Sequence, residues 1–379
     1  YPLRRQRQMC IRDRPERIVP GMANYYATTM ADGFDFSGVL VKTREGRPIK
    51  IEHNTLANTG ANARVQASVL SLYDNKRLQR PMANGQVVSW EQFDKEVTEK
   101  LNSVSGEIVL LTQTFASPST SRLINDFSAK YGNVRHVVYD TVSEDAALDA
   151  FQARYGVRAL PQYDFSEADT IISVGADFLG DWAGGGHDAG YAQSRIPEKG
   201  SMSYHIQFES NYTMTGAKAD KRVPVTIAQQ KAILAGLYNY VVGGASGSNL
   251  PADIDDIVVK AARKLRKAGT RGVVVTGISD TDAQSLALAI NEKLQSKIIN
   301  TENPRMLRQG NAEAVKQLVI DMNQGQVGAV LIAGVNPAYS LPFAEEFIEG
   351  LKKVDLSVAF SMKQDETCLL YTSPSPRDR

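Results

Sequence analysis

The sequence predicts an α/β protein built from a small β-rich N-terminal domain followed by two Rossmann-like, doubly wound halves. Short β-branched and apolar runs alternate with amphipathic stretches of helical period, the pattern of parallel strands covered by helices. The 379 residues exceed what a single core usually supports, so more than one lobe is expected. A small-residue run at 242–249, Val-Gly-Gly-Ala-Ser-Gly-Ser-Asn, suits neither helix nor strand and marks the break between the halves.

The β-rich domain is expected over residues 15–90, the first α/β half over 91–242 and the second over 250–367. In the first half, strands are expected at 107–112, 136–140, 170–175 and 204–208, each too short an apolar run for a helix. Helices are expected at 119–131, 144–155 and 226–240, where apolar residues recur at helical spacing. The second half repeats the pattern, with strands at 272–277, 329–335 and 356–360 and helices at 253–268, 281–294 and 312–324.

The two ends, 1–14 and 368–379, suit no fold and share one DNA word. Met9 to Asp13 can be coded by ATGTGTATAAGAGAC plus A, and its reverse complement reads as Cys368 to Thr372. Both ends resemble translated sequencing adapter and are set aside as non-native, leaving 15–367 as the expected native span, without cysteine. The first tail carries five Arg against one Asp and the last two Arg against one Asp, so without them the formal charge of +1 becomes −4. That mildly acidic balance gives nucleic acid or an anionic membrane no electrostatic hold. No apolar run reaches membrane-spanning length, and a cysteine-free span is compatible with any redox compartment.

Two stretches carry a family resemblance, 37–52 (Ser-Gly-Val-Leu-Val-Lys-Thr-Arg-Glu-Gly-Arg-Pro-Ile-Lys-Ile-Glu) and 66–78 (Gln-Ala-Ser-Val-Leu-Ser-Leu-Tyr-Asp-Asn-Lys-Arg-Leu). Together they resemble the first domain of the molybdopterin oxidoreductases, with Gly334-Val335-Asn336-Pro337 and Asp365-Glu366-Thr367 extending the likeness to pterin-side segments. The resemblance implies a DMSO reductase-type architecture, here truncated. Family members with a cluster in this domain place cysteines ahead of and at Ser37 and again where Asn62 stands. Ser and Asn supply no thiolates for such a cluster. The wording of 25–34 and 41–50 is similar to the B subunit of bacterial alternative complex III, a membrane quinol:electron-acceptor oxidoreductase.

Three places are candidates for cofactor contact. The first is the run 175–188, with Gly175, Gly184, Gly185 and Gly186: glycine lets backbone amides approach a phosphate after a strand, whereas Asp177, Asp181 and Asp188 would repel one. The resemblance also implies an Asn-Pro after this strand, and Asp177-Phe178 stands there instead. The second is 209–220, where the resemblance implies contacts to a second pterin but the guanine-binding turn is replaced by a run leading straight into a helix. The third is Ser143, aligned with the molybdenum ligand; with Glu144 and Asp145 it reads equally as a helix start whose hydroxyl caps free amides. Asn336 reads as a strand-ending turn beside its pterin-side likeness.

His53, His136, His187 and His205 lie far apart, so no metal site is expected from their spacing. His136 and His205 read as packing residues, and His187 as a surface or loop-stabilising imidazole. The first reading of function is a non-catalytic scaffold segment of a respiratory electron-transfer subunit. In it no cofactor is bound by this segment, iron–sulfur clusters belong to a missing C-terminal half, and other subunits hold the segment on the periplasmic face of the inner membrane after twin-arginine export, as the resemblance implies. An active enzyme carrying molybdopterin guanine dinucleotide, with Ser143 on the metal, and a stand-alone nucleotide-binding module are the alternatives.

Overall fold

The computed structural model describes residues 19–32, 35–57, 60–180, 182–244 and 249–370. Most of both expected tails, Cys10 included, Asp181 and the 245–248 part of the expected linker lie outside the described residues. In chain order the strands are β1 (Asn24–Asp32), β2 (Asp35–Arg44), β3 (Arg47–His53), β4 (Met82–Ala83), β5 (Gln86–Val87), β6 (Glu107–Thr112), β7 (Val134–Val138), β8 (Leu160–Tyr163), β9 (Thr170–Val174), β10 (Tyr204–Glu209), β11 (Lys221–Pro224), β12 (Gly272–Thr276), β13 (Ile299–Arg305), β14 (Val327–Ala333) and β15 (Leu356–Phe360).

The antiparallel sheet β1-β2-β3 buries Val39 and Ile51 against Val65 and Val69 of the following helical turns. The expected cluster-ligand positions have other work here. Asn62 caps the helix Ala63–Ala67 by accepting from the Val65 amide at 2.9 Å, and its amide donates to Asp35 at 2.6 Å. Ser37 is fully buried in β2.

The chain divides into two compact units, residues 1–141 with 313–379, and 142–312. In the first, β15-β14-β6-β7 form a parallel sheet in which Val109 pairs with Val330 and Leu331 with Val358. In the second, β11-β10-β9-β12 form another parallel sheet, and β8 pairs antiparallel with β13. The sheets therefore cut across the division at 242/250: β6 and β7 do not join β9 and β10, and β6, with β7 on its other side, pairs with β14 from near the end of the chain. Alternating strand and helix patterns fix which segments are strands but carry no information on which strands pair.

Each parallel sheet is buried on both faces, which explains its continuous apolar runs. In the second unit the helix Ala252–Ala268 turns Ile254, Val258, Ala261, Ala262 and Leu265 toward the sheet, one stripe of helical period. The helix Ile227–Val241 starts from a capping box, Thr226 and Gln229 each satisfying the other's backbone amide. In the first unit Phe347, Leu351, Leu318 and Met322 cover Val109, Leu111, Val330 and Ile332. β7 begins and ends two residues before the expected strand, its residues Val134 to Val138 pairing with Ile108 to Thr112; just beyond it the Asp140 carboxylate accepts from the Thr114 amide and hydroxyl at 3.0 and 2.6 Å. The expected tail boundary at 368 falls inside the short helix Glu366–Leu370, where Asp365 accepts from the Cys368 amide at 2.8 Å. Among the described residues no helix is long and apolar enough to cross a membrane.

Candidate functional site

Open parallel sheets take ligands at the carboxyl ends of their strands, and in the second unit those of β9 and β10 converge on the turn 213–216. Thr213 caps the helix Met214–Lys218, its hydroxyl oxygen accepting from the Gly216 amide at 3.0 Å. Glu209, the last residue of β10, is 2% exposed, and its carboxylate accepts from the Thr213 hydroxyl at 2.6 Å, the Thr213 backbone amide at 3.3 Å, Arg222 Nε at 2.5 Å and Gln207 Nε2 at 3.2 Å. Past the end of β9, Asp177 accepts from the Thr215 amide at 3.1 Å and its hydroxyl at 2.6 Å. The turn's amides at 213, 215 and 216 are thus all held by the protein's own oxygens. The packing is close: a Cβ on Gly216 would stand 1.9 Å from Glu209 Oε1, and one on Gly180 2.7 Å from Asp177 Oδ2.

Gly175 directly follows β9 at φ +71°, its amide donating to the Phe208 carbonyl at 2.8 Å. Gly184, Gly185 and Gly186 have φ of +86°, +70° and +82°, and Ala183 before them +51°, a left-handed path that glycine follows without strain. Arg305 Nη1 donates to the Gly185 carbonyl at 3.2 Å and lies 3.4 Å from His187 Nε2. His187 is 4% exposed, with the rings of Phe165, Trp182 and Tyr163 at 5.6, 5.5 and 6.2 Å. Of the two expected settings for it, surface or loop, the buried loop is the one found, because this aromatic wall closes over the ring. Asp188 is exposed at the start of the helix Asp188–Gln193.

Burial, reinforced by Arg305, pushes the His187 imidazole down to about 3. His205, fully buried between Tyr191 and Gln207, is pushed down to about 4, again mainly by burial. Both rings are neutral in the folded protein while the unfolded chain protonates them below about 6.5. Between pH 6.5 and 4 the unfolded state therefore binds more protons, and stability falls as pH falls through that window. The expected slope is up to about 1.4 kcal/mol per pH unit for each histidine. Thermal unfolding followed from pH 7.5 to 4.5 checks this: His187→Phe should flatten the curve, and an unchanged slope would refute the assignment.

Ser143 is exposed and accepts from the Asp145 amide at 3.1 Å at the start of the helix Asp145–Tyr155. Asn336 belongs to the first unit. It follows β14, its Oδ1 accepting from the Thr367 amide and hydroxyl at 3.2 and 2.6 Å and its amide donating to Glu366 at 2.7 Å. Glu209 opens the expected 209–220 stretch and Arg222 lies two residues beyond it; the signal for Glu209 is a carboxylate at a strand end followed four residues later by a hydroxyl. Among the described residues no group of three or more His, Cys, Asp or Glu could hold a metal ion.

The solved structure of acetylene hydratase from Pelobacter acetylenicus superposes on this chain with a TM-score of 0.69 at 12% identity, over 90% of this chain and 62% of that one. The fold is that of a molybdopterin-oxidoreductase-like protein. In sequence, the chain is 22% identical over 391 aligned positions to a protein of Nitratidesulfovibrio vulgaris named menaquinone reductase, molybdopterin-binding-like subunit, covering 88% of this chain and 55% of that protein. The chain thus spans about half the length of this curated relative. The formyltransferase/hydrolase complex from Methylorubrum extorquens also aligns, with a TM-score of 0.49 at 15% identity over 75% of this chain and 82% of that one. No protein-family model matches the sequence.

The residues at the carboxyl ends of β9 and β10 do not fit a pterin dinucleotide. A diphosphate there needs free amides and cations, whereas the amides of 213, 215 and 216 are taken and the carboxylates of Glu209 and Asp177 would face its charge.

Proposed function

We propose that this chain is a non-catalytic, molybdopterin-oxidoreductase-like scaffold segment of a subunit of a quinone-linked membrane oxidoreductase of the alternative complex III type. The observation that carries the proposal is the internal capture of the Thr213 and Thr215 amides, in the turn facing the strand ends, by Glu209 and Asp177. The relative named as a molybdopterin-binding-like subunit of a menaquinone reductase supports the quinone link. In this reading the segment serves as a docking body among other subunits on the periplasmic face of the inner membrane, and electrons travel through iron–sulfur clusters held elsewhere in the longer protein. Ser143, Gly175, Gly184, Gly185, Gly186 and Asn336 then keep only the structural contacts described above.

The test is elemental analysis of the purified protein together with fluorescence of its acid-oxidised extract, after expression in a host that makes the pterin. Neither molybdenum nor pterin is expected to copurify. Stoichiometric amounts of both would overturn the proposal and establish the alternative, an active enzyme carrying molybdopterin guanine dinucleotide. Loss of the metal on Ser143→Ala would then identify its ligand.

A further inference from the structure

We infer that Tyr191, His205 and the Lys218 carbonyl form an acid-operated latch inside the second unit: the Tyr191 hydroxyl proton serves His205 while that ring is neutral and the Lys218 carbonyl once the ring is protonated. The directions of the hydrogen bonds along this buried row carry the inference. Gln207 Nε2 stands 3.2 Å from two acceptors, the Ala176 carbonyl and the Glu209 carboxylate, so Gln207 turns its NH2 toward them and its Oε1 toward His205 Nε2, also at 3.2 Å. That oxygen needs a donor, which places the hydrogen of the neutral ring on Nε2 and leaves Nδ1 bare. Tyr191 Oη lies 3.2 Å from Nδ1 and 3.0 Å from the Lys218 carbonyl. A hydroxyl donates one proton, and two acceptors compete for it. Burial pushes the Tyr191 phenol up to about 12, so it stays a hydroxyl throughout. Protonation of His205 ends the competition: Nδ1 then donates to the Tyr191 oxygen, and the hydroxyl proton turns to Lys218. The bond so gained ties the helix Asp188–Gln193 to the last residue of the helix Met214–Lys218. The charged and titratable groups facing the ring are Tyr191, Arg195, Asp220 and Glu209. Asp220 accepts from the His205 backbone amide at 2.7 Å and pairs with Arg195 at 2.8 Å, while Glu209 shares the face of β10 that carries His205 and Gln207. Burial opposes the proton most and Arg195 adds to that, whereas Gln207, Asp220 and Glu209 favour it, so the latch closes in acid, near pH 4.

The experiment is NMR of the full chain, following the ring nitrogens of His205 and the carbonyl carbon of Lys218 from neutral pH downward, in wild type and in Tyr191→Phe. At neutral pH the hydrogen of His205 should sit on Nε2. As the ring titrates in wild type, the Lys218 carbonyl resonance should move with the same midpoint. In Tyr191→Phe the carbonyl should no longer follow the ring. The variant ring should also be harder to protonate, because the phenol gives the charged ring an acceptor and the carbonyl a donor. At the pH where half the wild-type rings are protonated, only about one-tenth of the variant's should be, one hydrogen bond to a charged group being worth about one pH unit. A hydrogen on Nδ1 at neutral pH, a carbonyl that stays put while His205 titrates, or an equal carbonyl shift in Tyr191→Phe would overturn the inference. So would a variant ring that protonates as readily as the wild type's or more so, since the hydroxyl would then favour the neutral ring. If Tyr191→Phe does not fold, the two wild-type readouts decide alone. A wild type that unfolds before His205 takes up its proton also overturns it, because the latch then never closes in the folded chain.

Discussion

Arg222→Ala is expected to destabilise the protein by about 3 kcal/mol, at the lower end of the range for stripping one partner from a buried ion pair. Glu209 is 2% exposed and Arg222 24%, so the substitution leaves an interior carboxylate without its cation, while water reaching the arginine side moderates the loss. Pairing Arg222→Met with Glu209→Gln should cost less than Arg222→Ala alone, because a neutral amide buried beside Thr213 and Gln207 is cheaper than an uncompensated charge. Urea unfolding of Arg222→Ala and of the Arg222→Met/Glu209→Gln double variant measures this. A double variant at least as unstable as Arg222→Ala would mean that packing on Tyr212, rather than charge compensation, is what Arg222 supplies.

Gly277→Ala should be of similar size, about 3 kcal/mol, the upper part of the range for overpacking. A Cβ at residue 277 would lie 2.2 Å from the Gly175 carbonyl oxygen, 2.8 Å from its carbon and 2.9 Å from Ala176 Cα. All three atoms are backbone, so no side chain can swing aside. Relief requires β12 to part from β9, breaking the bond from the Gly277 amide to the Val174 carbonyl at 3.0 Å. A fall in melting temperature of roughly 6–12 °C is expected for a body of this size. Gly60→Ala, where nothing lies within 4 Å, is the control and should shift stability by less than about 0.5 kcal/mol. If the two variants melt alike, the contact between residues 175 and 277 is looser than described.

The fold class was legible because both parallel sheets are buried on both faces, so runs such as Ile171-Ile172-Ser173-Val174 and Val273-Val274-Val275 read as strands with no partner in view. β8 and β13 were not legible. Leu-Pro-Gln-Tyr and Ile-Asn-Thr-Glu-Asn-Pro-Arg carry the proline and asparagine of loops, and their pairing is irregular, with a register shift between Asn300 and Arg305. At the candidate site, the opposition of Asp177 to a phosphate could be read from charge alone. Its use of that charge to hold Thr215, and the parallel capture of Thr213 by Glu209, depend on two strand ends meeting one turn, which spacing along the chain does not reveal.

The interleaved order of the strands sets the sequence of events during synthesis. All the strands of the second sheet lie within residues 142–312, so that unit can form its core once this stretch has left the ribosome. β6 and β7 are made earlier, but β6 must wait for β14, and so for Val330 to reach Val109, before its free edge is covered. The first-made half of that sheet is therefore the last to close, across a long chain separation that makes closure slow and leaves an unpaired apolar edge available to wrong partners meanwhile.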